Sequence, residues 1–173
     1  HRLDQATSGL VVLARHLAAQ RALSTAFAQR LVHKRYLAVV RGHPVAPPTV
    51  DAQGWSLIDL PLIADWPRRP RQKVDFLHGK PSQTRWRLLA YDAQKHTSVL
   101  LLEPVTGRSH QLRLHLASLG HPILGDALYA DPATCARAPR LLLHACTLGL
   151  QHPVSGQWLQ WQLPAPFALP MQA

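Results

Sequence analysis

The sequence predicts an α+β fold built on a mixed, largely antiparallel sheet, and three observations point there. Strand-like apolar runs outnumber helical ones, several neighbouring strands are separated by short turns, and only two segments carry helical spacing. A chain of 173 residues with 47% hydrophobic residues has the length and the material for one buried core. It shows no internal repeat, low-complexity tract or composition break, so residues 1–173 read as a single domain.

Ser8–Ala14 reads as a buried strand, being short, apolar and rich in Val and Leu. His16–Val32 reads as a helix: Leu23, Phe27 and Leu31 recur at i, i+4 and i+8, alanine is plentiful, and Arg15, Arg21 and Arg30 can stay in water. Tyr36–Arg41 alternates as a strand does. Pro44–Pro48 packs three prolines into five residues and can only be a loop.

Leu57–Ile63 reads as a short strand interrupted by Pro61, hence at an edge or a bulge. Trp66–Lys73 is an Arg/Pro-rich loop. Thr84–Tyr91 and Ser98–Leu102 form a strand pair around a turn near Ala93-Gln94-Lys95. In Ser109–Leu119 the leucines alternate, but Leu112, Leu116 and Leu119 also share a helical face. Gly120-His121-Pro122 then supplies a helix stop, which favours helix. Leu141–Leu150 and Trp158–Leu163 are the last two strands, joined by a turn at Pro153–Gly156.

The charge balance narrows the partners. Nineteen Lys+Arg face nine Asp+Glu, a net +10, and 15 of the 19 cations are Arg, so the surface attracts polyanions. Membrane is the weaker choice of polyanion, since no apolar run approaches the roughly 20 residues a spanning helix needs. Cys135 and Cys146 form neither a CxxC pair nor a disulfide framework, and read as reduced thiols of a cytoplasmic protein. Among the 11 histidines, His110 and His115 miss the spacing that sets two metal ligands one helical turn apart. His115 and His121 straddle a helix end, so no metal site is expected.

In a chain short of carboxylates, Asp4 stands between Arg2 and a polar turn that contains Gly9. Two readings compete. Asp4 caps the turn through its side-chain oxygen, or it is held for chemistry.

The segment His1-Arg2-Leu3-Asp4-Gln5-Ala6-Thr7-Ser8-Gly9 resembles the catalytic signature of the RluA-type pseudouridine synthases. Lys34-Arg35-Tyr36-Leu37-Ala38-Val39-Val40-Arg41-Gly42 is similar to that family's tyrosine strand. Thr106–His115 is similar to its arginine motif and runs on into Gly120-His121-Pro122-Ile123-Leu124-Gly125-Asp126. Arg140–Ala145 fits a late strand of the family's pocket. These four blocks, in order, span almost the whole chain. The middle stretches Asp59–Ile63, Trp66-Pro67, Arg71–Val74 and Gly79–Pro81 resemble the dual-specificity branch, which acts on tRNA and large-subunit rRNA.

The resemblance implies the pseudouridine synthase catalytic fold, a mixed, largely antiparallel sheet flanked by helices. It also implies a further stretch upstream of residue 1, so the chain is read as N-terminally truncated. The implied reaction breaks the bond from the ribose anomeric carbon to uracil nitrogen, turns the base and rejoins it through carbon five. It needs no redox partner or external group, so no cofactor is expected.

Asp4 is the implied catalytic carboxylate, as nucleophile or as base. Arg113 is implied as the partner that keeps it ionised, through charge-assisted hydrogen bonds. Tyr36 is implied to stack on the displaced uracil, its hydroxyl placed for proton transfer at carbon five. Arg2 is implied to fill the gap left by the extruded uridine. Leu142 or Leu143 closes the pocket or packs the core. Arg108 reads as a turn residue or a phosphate contact. Arg68, Arg69, Arg71 and Lys73, four cations in six residues, read as a clamp on the RNA backbone.

The expected substrates are a tRNA anticodon stem-loop and a 23S rRNA stem-loop, bound by a monomer. The rival readings are an rRNA-only enzyme of the same family, a non-catalytic RNA-binding module and a metal-dependent nuclease built on the histidines. A pure binding module would have no use for Asp4, Tyr36 and Arg113 together.

Overall fold

The structure, a computed structural model, describes residues 1–47 and 50–169. In chain order its elements are β1 (Ser8–Gly9), α1 (Leu17–Ala28), β2 (His33–Arg41), β3 (Ser56–Asp59), β4 (Leu62–Ala64), a 3₁₀ turn at Trp66–Arg68, and β5 (Gln72–Val74). There follow β6 (Gln83–Asp92), β7 (Thr97–Pro104), α2 (Gln111–Ser118), α3 (Pro132–Cys135), β8 (Leu143–Gln151) and β9 (Trp158–Gln162).

The main sheet runs β1-β8-β2-β7-β6-β3, with β9 also paired to β8. The β1–β8 pair is parallel and the others are antiparallel, which is the mixed, largely antiparallel α+β architecture expected. β4 and β5 form a separate two-stranded hairpin.

The centre of the sheet is its core. Ala38, Val40, Leu100 and Leu102 from β2 and β7 are fully buried, and Leu112 and Leu116 of α2 and Ile123 join the same cluster. A second cluster sets Leu23 of α1 beside Val32, Leu148 and Leu150. A fully buried leucine contributes roughly 1.5–3 kcal/mol, so these positions outweigh any single polar contact at the surface.

Three elements differ from expectation for identifiable reasons. The Ser8–Ala14 strand shrinks to β1, plus one more bond from Leu10 N–H to the carbonyl of Ala145. Beyond it the chain leaves the sheet, and Val12, Leu13 and Ala14 line a cavity instead. The helix predicted over His16–Val32 starts after His16, whose Nδ1 accepts from Ala19 N–H, and stops at Ala28. Its end is closed by Leu31 N–H bonding Ala26 O, with Arg30 left-handed at φ 60°, so Leu31 falls outside the apolar face and is exposed.

Pro61, which has no N–H, splits the Leu57–Ile63 stretch. β3 stays at the edge of the main sheet, as expected for a proline-interrupted strand, while β4 turns away to pair with β5. β5 itself lies at the end of the segment read as a loop. The expected β6–β7 pair, the α2 helix and its stop, and β8 and β9 are all present. Pro44 to Pro47 belong to no regular element, and Pro48 lies outside the described residues.

Candidate active site

Two close approaches set the frame. β1 runs against β8 with Gly9 at φ 119°, where a Cβ would overlap the backbone of Ala145. Ser8 Oγ and His144 Nδ1 lie 2.9 Å apart beside it, which pins the segment that carries Asp4. Gly125, at φ 75°, touches the carbonyl of Arg140, and a Cβ there would overlap that oxygen. Gly125→Ala should therefore destabilise the fold by more than about 2 kcal/mol, because left-handed strain adds to the clash. Urea denaturation checks this, and a loss under about 0.5 kcal/mol would show that the loop gives way freely.

Beside the segment that carries Asp4 lies a cavity of about 520 Å³, within the range of sites that enclose a nucleoside-sized ligand. Arg2, Asp4, Tyr36, Arg108 and Arg113, five of the residues singled out from sequence, line it together, although they come from three separate parts of the chain. The turn at Asp4 is closed by the backbone, Thr7 N–H donating to Asp4 O at 2.9 Å. The carboxylate itself takes no part in capping and lines the cavity.

Arg113 reaches Asp4 as an ion pair, Nη1 to Oδ2 at 3.7 Å. Its hydrogen bonds go elsewhere: Nε and Nη2 grip both oxygens of Asp126 at 2.9 and 2.6 Å. The expected charge partnership is present, but its direct hydrogen bonds are not. Burial pulls the Arg113 guanidinium down, yet the bonds from Asp126 and the charges of Asp126 and Asp4 prevail and hold it above its ordinary value. Arg113 is thus a fixed cation beside Asp4, clamped from behind.

Tyr36 is 9% exposed, and its hydroxyl is pushed up to about 12, first by burial and then by the charges of Asp4 and Cys146. It keeps its proton across any working pH. Leu143 lines the cavity, while Leu142 packs into the core without lining it. Arg2 donates to Ser109 Oγ at 3.1 Å and stays exposed, as does Arg108, whose backbone N–H is bound by Gln111 Oε1 at 3.0 Å.

Four further residues shape the site without having been given a role in it from sequence. Asp126 is 1% exposed and also accepts from the N–H groups of Leu128 and Tyr129. Gln111 accepts from Thr106 Oγ1 at 2.7 Å and donates to Gln83 O and Thr84 Oγ1, which fixes the loop carrying Arg108 and Ser109. Tyr129, its ring 5.3 Å from the Arg113 guanidinium, contacts His110, which itself lines the cavity. His110, Gln111 and Asp126 stand inside blocks that carry the family resemblance, and Tyr129 does not.

His115, weighed above as a metal ligand, is fully buried with both ring nitrogens engaged, to Thr84 Oγ1 at 2.9 Å and Leu60 O at 3.0 Å. Among the described residues no three His, Cys, Asp or Glu side chains converge as a metal site would require. The described residues contain no helix long and apolar enough to cross a membrane.

The four cations of the basic loop do not line the cavity. They sit on the β4–β5 hairpin, where Arg68 pairs with Asp65 at 2.8 Å and Lys73 with Asp75 at 3.1 Å. Arg69 lies 3.8 Å over the exposed ring of Trp66, and Arg71 lies 5.5 Å from the ring of Tyr129. Neither has a carboxylate within ion-pair distance among the described residues.

Comparison with known proteins places this geometry. The sequence profile described as RNA pseudouridylate synthase matches residues 1–118. A protein of Escherichia coli strain K12, "Dual-specificity RNA pseudouridine synthase RluA", is 52% identical over 167 residues, covering 96% of this chain and 73% of that protein. The Yersinia pestis protein of the same name is 48% identical, covering 96% and 77%. Among solved structures, human RNA Pseudouridylate Synthase Domain Containing 1 superposes with a TM-score of 0.79 at 32% identity, covering 97% of this chain and 69% of that one.

Proposed function

This chain belongs to the RNA pseudouridylate synthase family, and on that premise we propose that it acts on both a tRNA anticodon stem-loop and a large-subunit (23S) rRNA stem-loop, with Asp4 as its catalytic carboxylate. The enzyme is an RNA pseudouridine synthase, an isomerase. The observation that carries the Asp4 reading is the cavity in which Asp4, Arg113 and Tyr36 meet.

The reaction balances within the substrate. The bond from the anomeric carbon to N1 breaks, the base turns, a bond to carbon five forms, the proton at carbon five goes to solvent and N1 gains one. Asp4, paired with Arg113, acts at the sugar, and Tyr36 faces the base with its hydroxyl protonated. The target uridine must leave its loop to enter a cavity of this size, and a loop base is the cheapest to extrude. Arg2 and Arg108 stand at the rim where the flanking backbone would pass, Arg2 taking the space of the extruded base. Residues 1–173 work as one catalytic domain, in a monomer, in the cytoplasm with its RNA. The dual substrate range rests on the similarity to the dual-specificity relatives.

Tritium release from RNA labelled at carbon five of uridine tests the substrate reading. Release from both an anticodon stem-loop and a 23S rRNA stem-loop is expected, each competing with the other. Release from rRNA alone would sustain the rRNA-only alternative.

The hairpin makes a separate prediction. Each cation that neutralises a phosphate contributes about 0.7–0.9 to the slope of log affinity against log salt. Arg69→Ala and Arg71→Ala should each remove about one such step. Arg68→Ala and Lys73→Ala should remove less, because Asp65 and Asp75 already neutralise them. A filter-binding salt titration reads this, and equal slopes in all four variants would remove the hairpin from the RNA interface.

A further inference from the structure

The hydroxyl of Tyr129 joins the basic hairpin to the cavity wall. It accepts the backbone N–H of Gln72, at the start of β5, at 2.8 Å, and lies 2.7 Å from His110 Nδ1. Because that oxygen already receives a hydrogen from Gln72, its own hydrogen is free to point at Nδ1. If Nδ1 accepts that hydrogen it is unprotonated, and a neutral imidazole then carries its proton on Nε2. Nε2 has no protein partner among the described residues, and His110 lines the cavity.

His110 is held there by its backbone. It is left-handed at φ 54°, at the residue that opens α2, a conformation few side chains adopt without cause. Asp4 and Arg113 are its neighbours in the cavity.

We propose that Tyr129 is a positioning residue which fixes His110 as a neutral N–H donor facing the substrate, and that His110 is a further catalytic residue, donating to a uracil carbonyl oxygen. The inference rests on the pseudouridine synthase reading. The cavity already has guanidinium groups for phosphates in Arg2 and Arg108, whereas a neutral donor suits a carbonyl. When the glycosidic bond breaks, its electron pair leaves with the base and charge builds on the ring oxygens. A donor fixed there stabilises the ring more as the bond breaks than before.

The electrostatics agree with the geometry. Burial pushes His110 below the ordinary histidine value. Arg113 and Arg2 push the same way, and Asp4 and Asp126 push against it. Burial raises the Tyr129 hydroxyl, so it stays a donor.

Two variants test this. His110→Asn tolerates the left-handed backbone but cannot reach as far, and Tyr129→Phe removes one oxygen. Nitrogen-15 NMR of the free protein, with His110 assigned by its loss in His110→Asn, should show the Nε2–H tautomer. Its titration should move upward in Tyr129→Phe. The opposite tautomer, or an unmoved titration, overturns the proposal whether or not the protein catalyses.

With active enzyme, His110→Asn should lower kcat by about 100-fold, with RNA affinity and its salt slope unchanged. A weakened affinity with a salt slope lower by about one, at unchanged kcat, would make His110 a phosphate contact and overturn the carbonyl assignment. Tyr129→Phe should lower kcat and also weaken RNA binding by about fivefold, through release of the hairpin. Wild type without tritium release would count against the parent reading, and the NMR result would still decide whether Tyr129 fixes the His110 tautomer.

Discussion

Asp126→Ala is expected to destabilise the protein by about 3–5 kcal/mol and to abolish turnover. The carboxylate is 1% exposed and accepts four hydrogen bonds, two from Arg113 and one each from the N–H groups of Leu128 and Tyr129. Without it, a buried guanidinium keeps one carboxylate, Asp4 at 3.7 Å, and the face of the Tyr129 ring. An unpaired buried cation costs far more than the lost pair contributed, because water cannot replace the missing partner. Asp126→Asn keeps the shape and some of the bonds, and should fall between wild type and alanine. Urea denaturation measures both. A loss under 1 kcal/mol in the alanine variant would mean that Arg113 has another anchor.

The motifs marked the site residues more clearly than the contacts among them. Asp4, Tyr36 and Arg113 each stand inside a recognisable block, and the fold brings the blocks to one cavity because β1 lies parallel to β8 while β2 pairs with both β8 and β7. What holds Arg113 was hidden. Asp126 lies 13 residues away beyond the helix stop at Gly120, and nothing in a linear pattern aims it back at the helix. Tyr129 was equally silent, since its role depends on the β4–β5 hairpin folding over to meet it.

Each fold misreading has its own cause. Val12–Ala14 is apolar and lines a cavity, which looks in sequence like a buried strand. The end of α1 carries no Gly or Pro, so periodicity ran on to Val32 past a left-handed Arg30. β5 is short and sits among arginines and prolines, where pairing with β4 decides what local propensity does not.

Asp4→Asn should reduce turnover by about 10⁴-fold or more while leaving the protein intact. The side chain is 28% exposed and makes an ion pair but no hydrogen bond, and in the variant Arg113 keeps its two bonds to Asp126. The stability change should therefore stay within about 1 kcal/mol, as for other partly exposed pairs. RNA affinity should be nearly unchanged, since Asp4 is an anion beside an anionic ligand and contributes chemistry rather than binding. Single-turnover tritium release from an anticodon stem-loop saturated with enzyme isolates that chemistry. Wild type should release the carbon-five tritium and Asp4→Asn should release none above background while binding the same RNA. Release by Asp4→Asn at a rate near wild type would contradict the assignment of Asp4 as the group that acts on the ribose.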